Sequence, residues 1–135
     1  MRKKILVVDD DPEALELIRF NLKRAGFAIG TAANGVEALK KVCSLLPDLV
    51  LLDLMMPELD GFAVCEILRR DPATNALPII IVSAVAGEMA RFAGLGSGAN
   101  GYITKPFSPK KLVAQVEEAL SCKATTPGRA STGQE

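Results

Sequence analysis

The sequence predicts an α/β domain in which a five-stranded parallel sheet is covered on both faces by five helices. Three observations carry that prediction. Ile5 to Val8, Leu49 to Leu52 and Ile79 to Val82 are uninterrupted aliphatic runs of strand length, and their lack of alternation says that both faces of each are buried. Segments with helical spacing separate the runs through short connections, a pattern that parallel strands with crossover helices satisfy. Four of the strand candidates end in polar residues, and the carboxyl ends of parallel strands are where open α/β sheets place their chemistry.

Taken in order, Ile5 to Val8 is the first strand and runs into Asp9, Asp10 and Asp11. Pro12 follows, and proline suits the first helical position when an N-cap such as Asp11 precedes it, so a helix starts there. Leu15, Ile18 and Leu22 recur at helical spacing, Arg19, Lys23 and Arg24 colour the outer side, and Gly26 stops the helix. Phe27 to Ala32 is less uniformly aliphatic and reads as a second strand nearer the sheet edge. Asn34-Gly35 turns the chain into a helix over about Val36 to Leu45, with Val36, Leu39 and Val42 on one side and Lys40 and Lys41 outward. The third strand, Leu49 to Leu52, is bounded by Pro47-Asp48 and ends at Asp53. A loop from Met55 to Gly61 leads to a third helix that ends near Arg70, ahead of Asp71-Pro72. Pro78 opens the fourth strand, which terminates at Ser83-Ala84. Gly87 to Gly98 is helical by period, but Gly94 and Gly96 each cost about 1 kcal/mol against alanine, so this helix is expected to be the soft one. Tyr102-Ile103-Thr104 is a short last strand ended by Lys105-Pro106, and Ser108-Pro109 caps a final helix containing Leu112, Val113, Val116 and Leu120. Lys123 to Glu135 is small and polar and reads as a disordered tail or the start of a linker, which leaves residues 1–122 as the domain.

Composition narrows the function. The 135 residues are 49% hydrophobic, enough for one domain with a real core. Sixteen basic and sixteen acidic residues cancel, so no global field draws the chain to nucleic acid or to an anionic membrane, and neither is expected as a direct partner. The apolar run after Met1-Arg2-Lys3-Lys4 is too short for a secretory signal, nothing approaches membrane-span length, and a cytoplasmic location is expected. Cys43, Cys65 and Cys122 are odd in number and lack metal-ligand spacing, which fits free thiols in a reducing compartment. The absence of histidine removes histidine catalysis and histidine metal ligands. Acids stand where a dinucleotide fold would place its glycines, which argues against such a site.

In a parallel sheet, Asp9 and Asp10, Asp53, Ser83 and Lys105 converge at one end. Three carboxylates in so small a space cannot all stay ionised unaided; a hard divalent ion together with Lys105 would balance them, and magnesium suits oxygen ligands of this kind. Simpler roles exist for each residue taken alone. Only one aspartate can be the N-cap, and with Asp11 assigned to it Asp9 and Asp10 are surplus. Asp53 could be a solvated strand end, Ser83 a turn residue, Lys105 a surface lysine, Tyr102 a half-buried strand aromatic and Asp60-Gly61 a turn and cap. The cysteines and remaining methionines read as core packing. Lys105-Pro106 is a candidate cis peptide that would aim the lysine into the pocket.

An acidic pair after the first strand, a lone aspartate ending the third, Ser before Ala at the end of the fourth and Lys-Pro-Phe after the fifth resemble the receiver domain of two-component response regulators. The resemblance covers about Lys3 to Leu120 and includes the Met-Pro-Glu-Leu-Asp-Gly loop and the Gly-Tyr-Ile-Thr-Lys-Pro-Phe segment. It implies a flavodoxin-like fold with strand order 2-1-3-4-5 and a phosphorylation-dependent switch. Asp53 would be the phosphoacceptor, taking the group from a phosphohistidine on a sensor histidine kinase or phosphotransfer protein. Asp10 and Asp53, with Asp9 directly or through water and the Met55 carbonyl, would hold Mg2+. Lys105 and Ser83 would bind phosphate oxygens, and Tyr102 would turn inward behind Ser83. The fourth helix, fifth strand and fifth helix would then present a changed face to an effector protein or domain. The domain would catalyse only its own phosphorylation and slow dephosphorylation. Two other readings are a magnesium-dependent phosphohydrolase, for which the chain supplies neither a substrate-covering cap nor a general acid near Asp53, and a receiver-shaped interaction module that is never phosphorylated.

Two departures from the family pattern have consequences. Receivers of the large transcription-factor subfamily commonly carry acidic residues just before the tyrosine of the fifth strand, where they make charged dimer contacts. This chain has Asn100-Gly101 there, so a phosphorylation-dependent homodimer would lack those acids, while Arg91 remains to contribute. Met55 and Val85, two residues beyond Asp53 and Ser83, offer no polar side chain to orient a hydrolytic water. The acyl phosphate is therefore expected to be lost slowly, and a measured half-life comparable with those of the fastest receivers would refute this.

Overall fold

The computed structural model describes residues 2–125, with side chains through Ser121. The elements are β1 (Lys4–Val8), α1 (Pro12–Arg24), β2 (Ala28–Ala32), α2 (Gly35–Leu45), β3 (Leu49–Leu52), α3 (Gly61–Arg70), β4 (Ile79–Ser83), α4 (Glu88–Gly96), β5 (Gly101–Thr104) and α5 (Pro109–Thr125). All strand pairs are parallel and the order is β2-β1-β3-β4-β5, so the fold is the flavodoxin-like sheet expected from the sequence. Every residue of β3 and β4 is buried, which is what their unbroken apolar runs require of central strands covered on both faces.

The alternation of the strands divides the core into two layers. Leu6, Val8, Val50, Leu52, Ile79 and Ile81 pack with Ala38 and Val42 of α2, Val64 and Leu68 of α3, and Tyr102. Ile5, Val7, Leu49, Leu51, Ile80, Val82 and Ile103 pack with Ile18 and Leu22 of α1 and Leu112 and Val116 of α5. Helix ends follow local chemistry. Asp11, Asn34 and Asp60 each cap a helix by accepting from a backbone N–H of its first turn.

Several boundaries shift for identifiable reasons. Phe27 does not open β2, because its N–H bonds back to Leu22 O and closes α1 together with Gly26 at φ 102°. Helix α4 is shorter than its periodicity implies, since Gly87 at φ 109° precedes it and Gly98 at φ 109° lies beyond its cap. Helix α5 continues to Thr125, so the domain boundary expected at residue 122 falls inside it. The rest of the expected tail or linker, 126–135, lies outside the described residues.

Glycines set the closest approaches. A Cβ on Gly94 would lie 2.9 Å from Ile81 Cδ1 and 3.0 Å from the Tyr102 ring, so a residue read only as a weak point of the helix is what lets α4 sit on the sheet. A Cβ on Gly61 would meet the Asp53 carbonyl oxygen at 2.5 Å and Leu54 Cα at 2.9 Å. Gly61→Ala should therefore lower stability by about 1–3 kcal/mol through a clash with backbone that cannot yield. Gly96→Ala meets nothing within 4 Å and should be neutral or stabilising, by at most about 1 kcal/mol. Thermal unfolding of the two variants beside wild type decides the matter, and equal midpoints would refute it.

Candidate functional site

Register creates the site. Val8 of β1 pairs with Leu52 of β3, and Asp53 N–H donates to Val8 O at 3.0 Å, so Asp9 and Asp53 leave adjacent strands side by side. On the other flank Ser83 pairs with Thr104, and Lys105 N–H donates to Ser83 O at 2.8 Å. The residues expected to converge do so from four different strand ends. The Lys105–Pro106 peptide is cis.

Asp9, Asp10 and Asp53 each place a carboxylate oxygen within 4.8 Å of the others. Their surroundings differ. Asp10 is exposed, whereas Asp9 and Asp53 are 2% and 6% exposed. Both oxygens of Asp9 are occupied: Oδ1 accepts from Asp11 N–H at 2.9 Å, and Oδ2 from Lys105 Nζ at 2.7 Å. Among the described residues the Asp53 carboxylate accepts only a long bond from Met55 N–H, 3.4 Å to its Oδ1. Lys105 thus sits on Asp9 and leaves the central carboxylate without a close cation among the described residues.

Electrostatics follow from this placement. Burial raises the Asp53 pKa from its ordinary 3.8 to about 6, and the neighbouring charges of Asp9 and Asp10 push in the same direction, partly offset by Lys105 and the Met55 N–H. A carboxylate whose ionised form is disfavoured by burial and by two neighbouring aspartates, inside an all-oxygen donor set, fits a hard divalent ion.

Ser83 is fully buried, and its Oγ accepts from Val85 N–H at 3.1 Å, which leaves the hydroxyl hydrogen free to point elsewhere. Tyr102 donates its hydroxyl to Val85 O at 2.6 Å. The Tyr102 ring is buried against Gly94 in this structure. Sequence reasoning weighed only the side chain of Val85 and missed its main-chain bonds to Ser83 and Tyr102, which leave no side-chain trace. It also missed Gly94, although the spacing of Ala90 and Gly94, four apart on one helix, marks a face made for close approach.

The receiver domain profile of response regulators matches residues 5–117. The chain belongs to the response regulator receiver family. The alkaline phosphatase synthesis transcriptional regulatory protein PhoP of Bacillus subtilis is 45% identical over 120 residues, covering 89% of this chain and 49% of that protein. The DNA-binding response regulator MtrA of Mycolicibacterium smegmatis is 45% identical over 120 residues, covering 89% of this chain and 51% of its own length. The crystal structure of a Chloroflexus aurantiacus protein assigned as a response regulator superposes with a TM-score of 0.87 at 37% identity, over 90% of this chain and 99% of that one. The chain spans about half the length of the curated relatives it matches. Receiver domains act as signalling switches and not as classical enzymes, and the family typically binds Mg2+ in an acidic pocket. Among the described residues no helix is long and apolar enough to cross a membrane.

The raised Asp53 pKa has a testable sign. Between about 4 and about 6 the folded chain holds a proton that the unfolded chain has released, so the contribution of Asp53 to stability falls as pH rises through this window and is lost above it. In metal-free buffer, Asp53→Asn should melt above wild type near neutral pH, and the gap should close as the pH falls toward about 4. A gap independent of pH would refute the assignment.

Proposed function

We propose that Asp53 is the phosphoryl acceptor of a two-component switch. The reading rests on one observation: three aspartates meet at the ends of β1 and β3, flanked by Lys105 and Ser83 from the ends of β5 and β4. An Asp53 carboxylate oxygen attacks the phosphorus of a phosphohistidine on a sensor histidine kinase or phosphotransfer protein. The P–N bond breaks as the new P–O bond forms, and the imidazole leaves with a proton. Asp10, Asp53, Asp9 and the Met55 carbonyl are the groups that would hold Mg2+, whose charge offsets that of the carboxylates and the phosphoryl oxygens. Lys105 Nζ is the cation within reach of a phosphoryl oxygen, and the free hydroxyl hydrogen of Ser83 is the donor to another. Exposed Met55 and Val85 side chains bring no polar group to a water on the acyl phosphate.

The output side of the switch is the face of α4, β5 and α5, linked to the site through Ser83, Val85 and Tyr102. Its partner is a downstream effector, either a separate protein or a domain joined to this one, or a second copy of the chain. The relatives are named as transcriptional and DNA-binding regulators. The balanced charge of this chain supports a reading in which the effector, not the receiver itself, makes any DNA contact.

Intact mass after incubation with magnesium and acetyl phosphate tests the reading. One added phosphoryl mass is expected, dependent on magnesium and absent in Asp53→Ala. Lys105→Ala should accumulate it about a hundredfold more slowly, the scale on which losing one charge-stabilising donor acts. An adduct that survives in Asp53→Ala would overturn the assignment, and no adduct on wild type would favour an unphosphorylated interaction module.

A further inference from the structure

Arg69, near the C-terminal end of α3, makes contacts that neither the phosphoryl chemistry nor the core requires. Its Nε donates to Gly98 O at 2.8 Å and its Nη2 to Asn100 Oδ1 at 2.9 Å, while Nη1 lies 3.4 and 3.3 Å from the Thr74 and Asn75 carbonyls. Among the described residues it forms no salt bridge, so its charge is spent on oxygen dipoles from two separate segments, one after α3 and one after α4. The aliphatic stem rests on Gly98, where a Cβ would stand 2.6 Å from Arg69 Cγ. Asn100 is itself fixed to the start of β4: its Oδ1 also accepts from Ile79 N–H at 2.8 Å, and its own N–H donates to Ile79 O at 2.7 Å. The segment just after α4 is therefore clamped from α3 on one side and β4 on the other.

The opposite end of α4 has no such hold. Gly87 stands at the N-cap without a side-chain hydrogen bond, and in the half that follows Met89 and Phe92 are 84% and 78% exposed. The chain leading into that end is Ser83 to Gly87, whose Val85 is bonded by Ser83 on its N–H and by Tyr102 on its carbonyl. Between the two ends Gly94 rests on the Tyr102 ring.

We propose that α4 is a lever pinned at its C-terminal end by Arg69, so that displacement of the Ser83–Val85 segment swings the N-terminal half, with Met89 and Phe92, about a pivot between Gly94 and Gly98. The inference rests on the phosphoryl-site reading and adds to it which part of the output face moves, what stays still and which residue sets the boundary. Arginine suits the task because one rigid plane delivers several directed donors; a lysine would supply the charge but not the fork. The surface carried by the moving end is apolar, so the partner it engages or releases reads hydrophobic contact there.

Hydrogen exchange on the full chain, with and without Mg2+ and beryllofluoride as the phosphoryl mimic, tests the lever. In wild type, ligand should change exchange about tenfold in the segment from Val85 to Phe92 and leave the amides of Gly98, Ala99 and Asn100 unchanged. In Arg69→Met the ligand-induced change should run through to Asn100, and Arg69→Lys should resemble Arg69→Met. Asn100→Ala loosens the same clamp with a smaller perturbation and should show the same spread where Arg69→Met does not fold. A wild-type response as large at Gly98 to Asn100 as at Val85 to Phe92, or variants whose response still stops at Gly94, would overturn the proposal. Protection of the Met55 amide, outside that segment and beside Asp53, reports ligand at the site separately. Its presence beside an unconfined α4 response removes the lever alone, whereas its absence removes the phosphoryl-site reading and the lever with it.

Discussion

The parallel pairing of β1 with β3 is the constraint on which the rest depends. It sets Val8 against Leu52 and so delivers Asp9 and Asp53, both almost fully buried, from neighbouring strands into one corner. Two like charges so placed oppose folding, and the fold answers with a lysine from β5, two strands beyond β3, whose ammonium reaches Asp9. The sheet must therefore be complete from β1 to β5 before the first strand's carboxylate is balanced. Stability is tied to the same contacts that gather the carboxylates, and burial together with the neighbouring aspartates raises the Asp53 pKa, so the ionised corner favours added positive charge.

Backbone packing supports that corner at close range. Gly61 brings the start of α3 onto the Asp53 carbonyl, and Gly35 brings the start of α2 within 2.6 Å, measured from a would-be Cβ, of the Leu59 carbonyl. The loop between Asp53 and α3 is thus held by two helix N-termini, each capped by its own side chain, Asn34 and Asp60. Rigid surroundings of this kind keep Asp53 in place, while beyond the last strand bond, from Lys105 N–H to Ser83 O, Val85 is held by hydrogen bonds from Tyr102 and to Ser83 Oγ.

Much of this was legible in the residues because apolar runs and strand ends speak directly. Ile5 to Val8 and Leu49 to Leu52 read as doubly covered strands, and in a parallel sheet the aspartates that follow them leave at the same, carboxyl end. Which carboxylate Lys105 would choose was not legible, since that depends on the distance across two intervening strands rather than on spacing along the chain. The buried pose of Tyr102 follows from a glycine on another element, and the clamp at Arg69 from three main-chain carbonyls that any residues could have supplied together with the Asn100 side chain. Interactions made by main-chain atoms leave no compositional trace, and they account for most of what pattern reading failed to reach.

The division of the core into two layers has a mechanical consequence. Helix α4 sits with α2 and α3 on one face of the sheet, whereas α5 is embedded with α1 on the other through Leu112 and Val116. A rearrangement of α4 is thereby screened by the sheet from the element on which any polypeptide following Thr125 would be mounted. Such a polypeptide would not be tugged along its covalent attachment; it would have to touch the mobile surface to sense it. If α4 moves as proposed, this architecture would separate tether from transmitter, and a receiver so built would serve outputs of unrelated shape so long as each reached around to the same few exposed side chains.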